Sequence, residues 1–412
     1  MKNKNLNIAI IGGGAAGLAS AFVLSEFGAQ VTLYEKSDRI GKPILVTGNG
    51  RCNISNRNLK VEEYYNADFV KESLRILPPE AIHSVFQSWG LSLAEESAGR
   101  LYPATFKATS VLDVLRFGLD ERGVDIKTSC EVENISFHEK EQTVSIYGYN
   151  QTDNCAIKPQ RFDAVILAAG GANNENIIPE DISYSIPKPC LLPLKLHGLP
   201  FRSLNNIRAR ANIIAGKHCE SGEIMFRDYG ISGVAAFNIS RYVEIDEDIF
   251  IDFLPWWSID QGIQAFNQLV ERYPERSSQD ICAGIFLPRL AQALLKKSGV
   301  NPREPLAEDK ISYMVAYMKH IPLTVLGFGD PKQAQVRRGG CLVDGFSSAT
   351  MQSFKYQQLY VVGEALDIDG PCGGYNLHWA WTSALLAACS ILNIDPVQLP
   401  GTKEVVNYFK QS

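Results

Sequence analysis

The segment Ile8-Ala-Ile-Ile-Gly-Gly-Gly-Ala-Ala-Gly-Leu-Ala19, followed by Gln30-Val-Thr-Leu-Tyr-Glu35, constrains the fold more than any other part of the 412-residue chain. Ile8–Ile11 reads as a buried strand, Gly12-x-Gly14-x-x-Gly17 as the turn into a helix, and Gln30–Tyr34 as a second strand. Each glycine has a physical task. One makes the tight turn, one lets the backbone approach a pyrophosphate, and one lets the helix pack against the strand. The helix start, with Ala15 and Ala16 in its first turn, offers unpaired N–H donors and a partial positive charge to phosphates. Glu35 follows 23 positions after Gly12, placed to accept hydrogen bonds from the ribose hydroxyls of an adenosine. The competing reading is a glycine-rich turn with no ligand; the flanking strands and the spaced acid favour the dinucleotide.

A chain of this length exceeds one ordinary core, so two or three domains are expected. Its composition, 45% hydrophobic and 21% charged, is that of a globular protein. The formal net charge of −5 gives no broad attraction to nucleic acid or anionic lipid, so neither is expected as a partner. Residues 1–5 carry no apolar run of the kind a signal peptide needs. Trp379–Leu392, the stretch nearest to a membrane span, is interrupted by Thr382, Ser383 and Ser390 and falls short of the ~20 apolar residues required. Nine scattered cysteines without a C-x-x-C, and six dispersed histidines, fit isolated thiols in a reducing cytoplasm. They speak against a metal site or a dithiol redox centre.

Along the chain, residues 36–56 hold glycines, asparagines and no helical period, which reads as an extended loop. A helical region over 67–89 breaks at Pro78-Pro79, a second amphipathic helix covers Ser110–Arg122, and Val124–Tyr149 reads as strand and hairpin. Phe162–Gly171 is a buried strand ending in glycines, of the kind that returns the chain to a parallel sheet near the dinucleotide. From about Pro187 short β-like runs suggest an inserted β-rich domain, followed by helices over Asp260–Ser298 and Glu308–Lys319. Strands resume around Gln333–Asp344, Gln358–Glu364 is a last apolar strand, and Leu377–Leu392 is a buried closing helix.

Three separated segments are thus aimed at one dinucleotide: 12–17 with Glu35, 41–56, and 363–377. Parallel α/β sheets bind ligands at the carboxyl ends of their strands, and each segment follows or ends such a strand. Asp369-Gly-Pro-Cys-Gly-Gly-Tyr-Asn376 is a glycine-rich entrance to a buried helix, where backbone N–H groups meet an anion or an electron-rich ring. An NAD-only domain has no need of this distant unit. FAD, extended across a sheet, does.

On four segments the chain resembles the bacterial FAD-dependent oxidoreductases known as aminoacetone oxidase-like or bile-acid-dehydroxylation flavoproteins. They are Thr47–Asn56, Gly222–Gly233, Gly339-Gly340 and Gly363–Leu377, and the likeness extends over nearly the whole length. It implies an α/β fold: a discontinuous Rossmann-like FAD-binding domain (1–187 and 333–412) interrupted by a β-barrel-like domain (188–255 and 320–332) and a helical domain (256–319). It also implies that Glu35, Arg51, Asn53, Gly363, Glu364, Asp367 and the loop Gly373, Gly374, Tyr375, Asn376 and Leu377 line the FAD. The candidate cofactor set is completed by Gly12, Gly14, Ala15, Ala16, Gly17, Lys36, Gly41, Lys42, Thr47, Gly48, Gly50, Cys52, Val132, Ala169, Gly170 and Gly171. Two departures stand out. The family's Pro/Thr/Gly/Ser-rich loop after the glycine pair is replaced by Gly170-Gly-Ala-Asn-Asn-Glu-Asn-Ile-Ile-Pro179, and its Thr-x-Gly-Gly by Arg337-Arg-Gly-Gly340.

Single residues divide between functional and structural readings. Arg51 neutralises phosphate or reduced flavin, or is a loop charge. Cys52 and Cys372 read as small buried hydrophobes before reactive thiols, His378 as a satisfied structural histidine, and Tyr375 as equally a flavin contact or a packing ring. Arg227-Asp-Tyr-Gly230 either helps bind substrate or is a charged hairpin tip. No catalytic base is identifiable. The expected activity is hydride exchange between flavin N5 and a small organic substrate, an amine or a ring-bearing alkene or ketone, with oxygen, a quinone-like acceptor or NAD(P)H as electron partner. The alternatives are an RNA-modifying flavoprotein and a non-catalytic FAD-binding redox sensor. Oligomeric state is not encoded in these features.

Overall fold

The computed structural model describes residues 6–171 and 174–411 and divides into two compact units. The first runs to Lys188 and resumes at Val336; the second is Pro189–Gln335. The first unit opens with β1 (Asn7–Ile11), α1 (Ala15–Glu26), β2 (Gln30–Tyr34) and the short α2 (Lys42–Val46). Next come β3 (Ser55–Asn56), α3 (Ala67–Ile76), α4 (Pro79–Ser88), β4 (Leu93–Glu95), β5 (Arg100–Pro103) and α5 (Ala108–Glu121). The prolines at 78 and 79 separate α3 from α4, since Pro is accepted at a helix start and not in its interior. Strands β6 (Asp125–Lys127), β7 (Cys130–His138), β8 (Thr143–Asn150), β9 (Cys155–Ala156), β10 (Gln160–Phe162), β11 (Ala164–Leu167) and β12 (Tyr184–Cys190) follow.

The second unit contains β13 (Leu194–His197), α6 (Phe201–Leu204), β14 (Arg208–Ala215), β15 (His218–Arg227), β16 (Gly230–Ser232), α7 (Val234–Ile239) and β17 (Asp248–Asp252). Helices α8 (Ile259–Arg272), α9 (Ser278–Ile281), α10 (Pro288–Lys297) and α11 (Glu308–Lys319) lead to β18 (Ile321–Phe328). Six strands close into an antiparallel barrel in the order β13-β16-β15-β14-β17-β18. Phe266 of α8 and Met314 of α11 lie in the same buried cluster as Ile251 and Val325 of the barrel. The helices that the sequence assigns to a domain of their own therefore share the barrel's core. Arg227 and Gly230 pair across the tip of the β15–β16 hairpin.

On its return the chain forms β19 (Val336–Cys341), β20 (Leu359–Val361), α12 (Tyr375–Leu392) and α13 (Lys403–Gln411). The sheet of the first unit runs β20-β11-β1-β2-β6, parallel at every pairing. Its central strands are buried on both faces, which is why Ile8–Ile11 and Ala164–Leu167 read as unbroken apolar runs. Helix α1 is buried from Ala16 to Leu24 and packs on α12, itself almost wholly buried. Two sequence expectations change. The loop over 36–56 contains α2 and a 3-10 turn at Thr47–Gly50, because Gly41 (φ 72°) and Pro43 set up a helix start. The helix ending at Leu392 is followed by α13.

Trp381 of α12 is fully buried, stands edge-on to Phe86 of α4 at 5.0 Å, and donates its indole N–H to Ile54 O at 3.1 Å. Trp381→Ala is expected to destabilise the first unit by about 3–5 kcal/mol, and Trp381→Phe by about 1 kcal/mol through the lost hydrogen bond. Denaturant unfolding followed by circular dichroism checks both; an alanine variant as stable as the parent would remove α12 from the core.

Candidate functional site

The glycines after β1 are where the chain can tolerate nothing larger. A Cβ on Gly12, whose φ is +108°, would stand 2.4 Å from Ala168 O at the end of β11, and one on Gly17 would stand 1.9 Å from Gly12 O. Gly12 N donates to Tyr34 O at 2.8 Å, which ties the turn to β2 as well. Gly14 differs, because a Cβ there would meet nothing within 4 Å. It caps α1 without a side-chain hydrogen bond, and the first turn holds no acid. The α1 N–H groups thus face an open cradle with no acidic residue in the first turn of the helix, which suits a pyrophosphate.

Gly363 and the glycine pair after β11 close on the same place. A Cβ on Gly363 would lie 3.2 Å from Ala16 Cβ, and one on Gly171 3.6 Å from the Glu364 carboxyl carbon. The ends of β1, β11 and β20 therefore meet beside the start of α1. A cavity runs along the ends of β1 and β2, lined among others by Glu35, Lys36, Val132, Ala169 and Asn174. Glu35 accepts from Gly13 N and Ser37 N, each at 2.7 Å, which fixes its carboxylate at the cavity wall. Asn174 Oδ1 is buried and without a partner, an acceptor that a hydroxyl or amino group of an adenosine would satisfy. The open cradle at Gly14 and this orphaned acceptor fit a dinucleotide.

The acids after β20 turn elsewhere. Glu364 accepts from Arg337 N at 2.8 Å, Asp367 from Gly339 N at 2.7 Å, and buried Asp369 holds the Arg338 guanidinium at 2.6 and 3.1 Å. Burial pushes the Glu364 and Asp367 carboxyls above the usual carboxylate range. These side chains fasten β19 to the β20–α12 connection. Arg51 is likewise engaged: its guanidinium forks onto Glu96 at 3.0 and 2.6 Å and lies over the Tyr102 ring at 4.3 Å. Cys52 is fully buried and its thiol is pushed up to about 12 by burial, so any contact it gives a cofactor is through its backbone.

Beneath the loop that opens α12 lies a polar layer. With its amide oriented to satisfy both ends, Asn53 donates to Ser55 O at 2.9 Å and Leu101 O at 3.1 Å and accepts from Gly374 N at 3.0 Å. Asn376 bridges Gly370 N and O at 2.8 Å each, and Tyr375 packs against Tyr64 with ring centroids 5.2 Å apart. Ser55 Oγ stands 2.9 Å from both His83 Nε2 and His378 Nδ1, and His378 Nε2 lies 3.4 Å from Thr382 Oγ1. His378 is buried, with Ser55 Oγ against Nδ1 and Thr382 Oγ1 against Nε2. Of the remaining candidates, Gly41 N bonds to Gly13 O at 2.8 Å, Thr47 Oγ1 donates to Ile44 O at 2.7 Å, and Lys42 pairs with Asp38. Gly48 and Gly50 hold positive φ, of 55° and 79°, and Gly170 does at 73°. Residues 172 and 173 of the atypical loop lie outside the described residues. Ser55, His83, Glu96 and Asn174 were missed. Nothing in their local sequence marks them, since each acquires its role only through partners distant in the chain.

The HI0933-like protein Rossmann domain family matches residues 6–390. The 3-dehydro-bile acid delta(4,6)-reductase of Clostridium scindens is 32% identical over 410 residues, covering 92% of this chain and 97% of that protein. The ribosomal RNA dihydrouridine synthase of Haemophilus influenzae is 29% identical, covering 93% and 97%. Among solved structures, a 3-ketosteroid delta1-dehydrogenase from Sterolibacterium denitrificans superposes with a TM-score of 0.45 at 13% identity, covering 95% of this chain and all of that one. The chain belongs to the HI0933-like family, a family of FAD-dependent oxidoreductases, and FAD is the cofactor its cradle fits. Among the described residues there is no group able to hold a metal ion and no helix long and apolar enough to cross a membrane.

Gly14→Ala is expected to keep the stability of the flavin-free protein while cutting FAD retention at least tenfold. Gly17→Ala lowers that stability itself, because its Cβ meets backbone. Flavin content and thermal melting of both variants test this, and a Gly14→Ala protein that retains FAD fully would rule out the cradle.

The histidine pair generates a second expectation. Burial, then His83, lowers His378 to about 3; burial, then Arg57, lowers His83 to about 4. An unfolded histidine titrates near 6.5, so between there and about 4 the unfolded chain binds more protons. The stability from keeping both rings neutral is present above pH 6.5 and is lost as the pH falls toward 4. Denaturation midpoints should drop from pH 7 to 5, with a shallower slope in His378→Gln; a flat parent profile would overturn the assignment.

Proposed function

We propose that this protein is a reductase that delivers a hydride, with FAD as carrier, to a small organic molecule whose carbon–carbon double bond is polarised by a carbonyl. The observation carrying the proposal is the meeting of three glycine-rich strand ends at one cradle. Bound FAD supplies a two-electron carrier, refilled by an external reductant. The chain's own groups hold and orient it. The α1 N–H groups take the pyrophosphate, Glu35 and the adjoining cavity take the adenosine, and the Gly373–Leu377 loop faces the ring. Asn53 and Asn376 keep that loop in one shape. The 32% identity to a reductase of an unsaturated 3-dehydro bile acid supports the substrate class. The missing second G-x-G-x-x-G and C-x-x-C leave NAD(P)H binding at the flavin face as the simplest refilling route. The cysteine pattern fits work in the cytoplasm.

A second reading is favoured by the similarity to an rRNA dihydrouridine synthase: the same carrier chemistry applied to a uracil ring in RNA. The net charge of −5 makes a weaker case for an RNA partner than for a small molecule.

The deciding measurement is anaerobic flavin absorbance on addition of NADPH and then NADH, followed by a conjugated enone or unmodified ribosomal RNA. Bleaching by a nicotinamide and recovery with the enone is the expected outcome. Recovery only with RNA would select the second reading. A flavin that neither nucleotide reduces would overturn the reductase assignment.

A further inference from the structure

Ser55, His83 and His378 come from β3, α4 and α12, three elements brought together only by folding. All three side chains are buried: Ser55 and His378 are 0% exposed and His83 is 6% exposed. A serine hydroxyl has one proton to give, so between two imidazoles it donates to one and accepts from the other. The file His83–Ser55–His378–Thr382 therefore has a direction, and reversing it takes a turn of the hydroxyl together with a change in which ring nitrogens carry protons.

One end of this file lacks a partner. His83 Nδ1 is buried and has no hydrogen-bond partner, and neither has Glu80 Oε2, one helical turn earlier on α4. Both residues line a cavity of about 200 Å³ together with Arg57, Ser84, Gln87 and Glu95. Arg57, Gln87 and Glu95 are exposed, and Arg57 pairs with Glu95 at 2.7 Å, leaving the Glu80 oxygen as the unmatched acceptor. The space admits several waters, each about 30 Å³ in the liquid. The other end is His378, in the first turn of α12, directly after the loop whose Gly374 rests on Ser55 O and Asn53.

We propose that His83, Ser55 and His378 form a proton-conducting file from the Glu80 cavity to the first turn of α12. The inference rests on the reading that places the FAD ring at that turn. A proton enters at His83 Nδ1 from cavity water. The Nε2 proton of His83 passes to Ser55 Oγ as the Ser55 proton passes to His378 Nδ1. His83 ends neutral with its proton on Nδ1, facing the Glu80 carboxylate, and His378 holds one proton more than before. No electron moves within the file. Both arrangements leave every hydrogen bond of the file satisfied, which is what separates a conductor from a static brace. Burial lowers both imidazoles, so a proton passes through them without resting, until negative charge arriving at the start of α12 holds it there. The file supplies that compensating charge when the cofactor is reduced.

The test uses the FAD-loaded protein, reduced by a light flash in weak buffer containing a pH-indicator dye. The wild type takes up a proton together with flavin bleaching. Ser55→Ala removes the hydroxyl and leaves the Ser55 carbonyl and Asn53 contacts to Gly374, so flavin content and spectrum should match the wild type while proton uptake slows at least tenfold. His83→Ala, which opens the cavity end, should slow it similarly and be restored by added imidazole. A merely structural role predicts no such rescue. Uptake at the wild-type rate in Ser55→Ala, or a His83→Ala defect that imidazole does not repair, overturns the file. A protein that binds no FAD would instead show that the cofactor reading has failed.

Discussion

The closest approach in the first unit is between backbone atoms. Gly12 presses on the end of β11 and Gly17 presses on Gly12, with no room for even one carbon at either place. That contact sets how near α1 lies to the sheet, and hence where its free N–H groups point. It also aligns the ends of β1 and β11, beside which β20 delivers Gly363 against Ala16. A site assembled from residues 12, 170 and 363 depends on this approach, because a shift of the helix by one side-chain radius would separate all three segments. The glycines that seat α1 and the glycine that leaves space for a ligand are consequently different residues: Gly12 and Gly17 seat it, Gly14 leaves the space.

Much of this was legible from the chain alone. Buried parallel strands are apolar without interruption, so Ile8–Ile11, Gln30–Tyr34 and Phe162–Leu167 stand out, and the turn glycines fix the site between them. The inserted β-rich domain was legible as short β-like runs, and the helices of 260–319 as helical periodicity. What stayed hidden is long-range pairing. The sequence marks Arg51 by its glycine loop, and only the fold shows that Glu96, 45 positions away, pairs with its guanidinium. It marks Glu364 and Asp367 as cofactor candidates, and only the fold shows that each also accepts from an N–H group of β19. Hydrogen-bond partners separated by tens of residues leave no periodic signature. The helix α2 was hidden for a different reason: five residues are too few to show a period, and Gly41 and Pro43 read equally well as loop.

The hidden pairings answer an electrostatic question that the visible motifs raise. A dinucleotide brings two phosphates to a protein of net charge −5, and the segment nearest the cradle carries Glu364, Asp367 and Asp369. Left to face the ligand, three carboxylates would oppose it. Instead Asp369 is matched by the Arg338 guanidinium, while Glu364 and Asp367 each accept from a backbone N–H and are pushed by burial toward the neutral form. The Arg337-Arg338 pair, which stands where the resembled family has Thr-x, thereby supplies a matching N–H and a matching cation to two of the three acids. The cradle itself carries only the N–H groups of α1 and no acid in the first turn. The acids after β20, whatever else they meet, thus tie β19 to the segment that leads into α12.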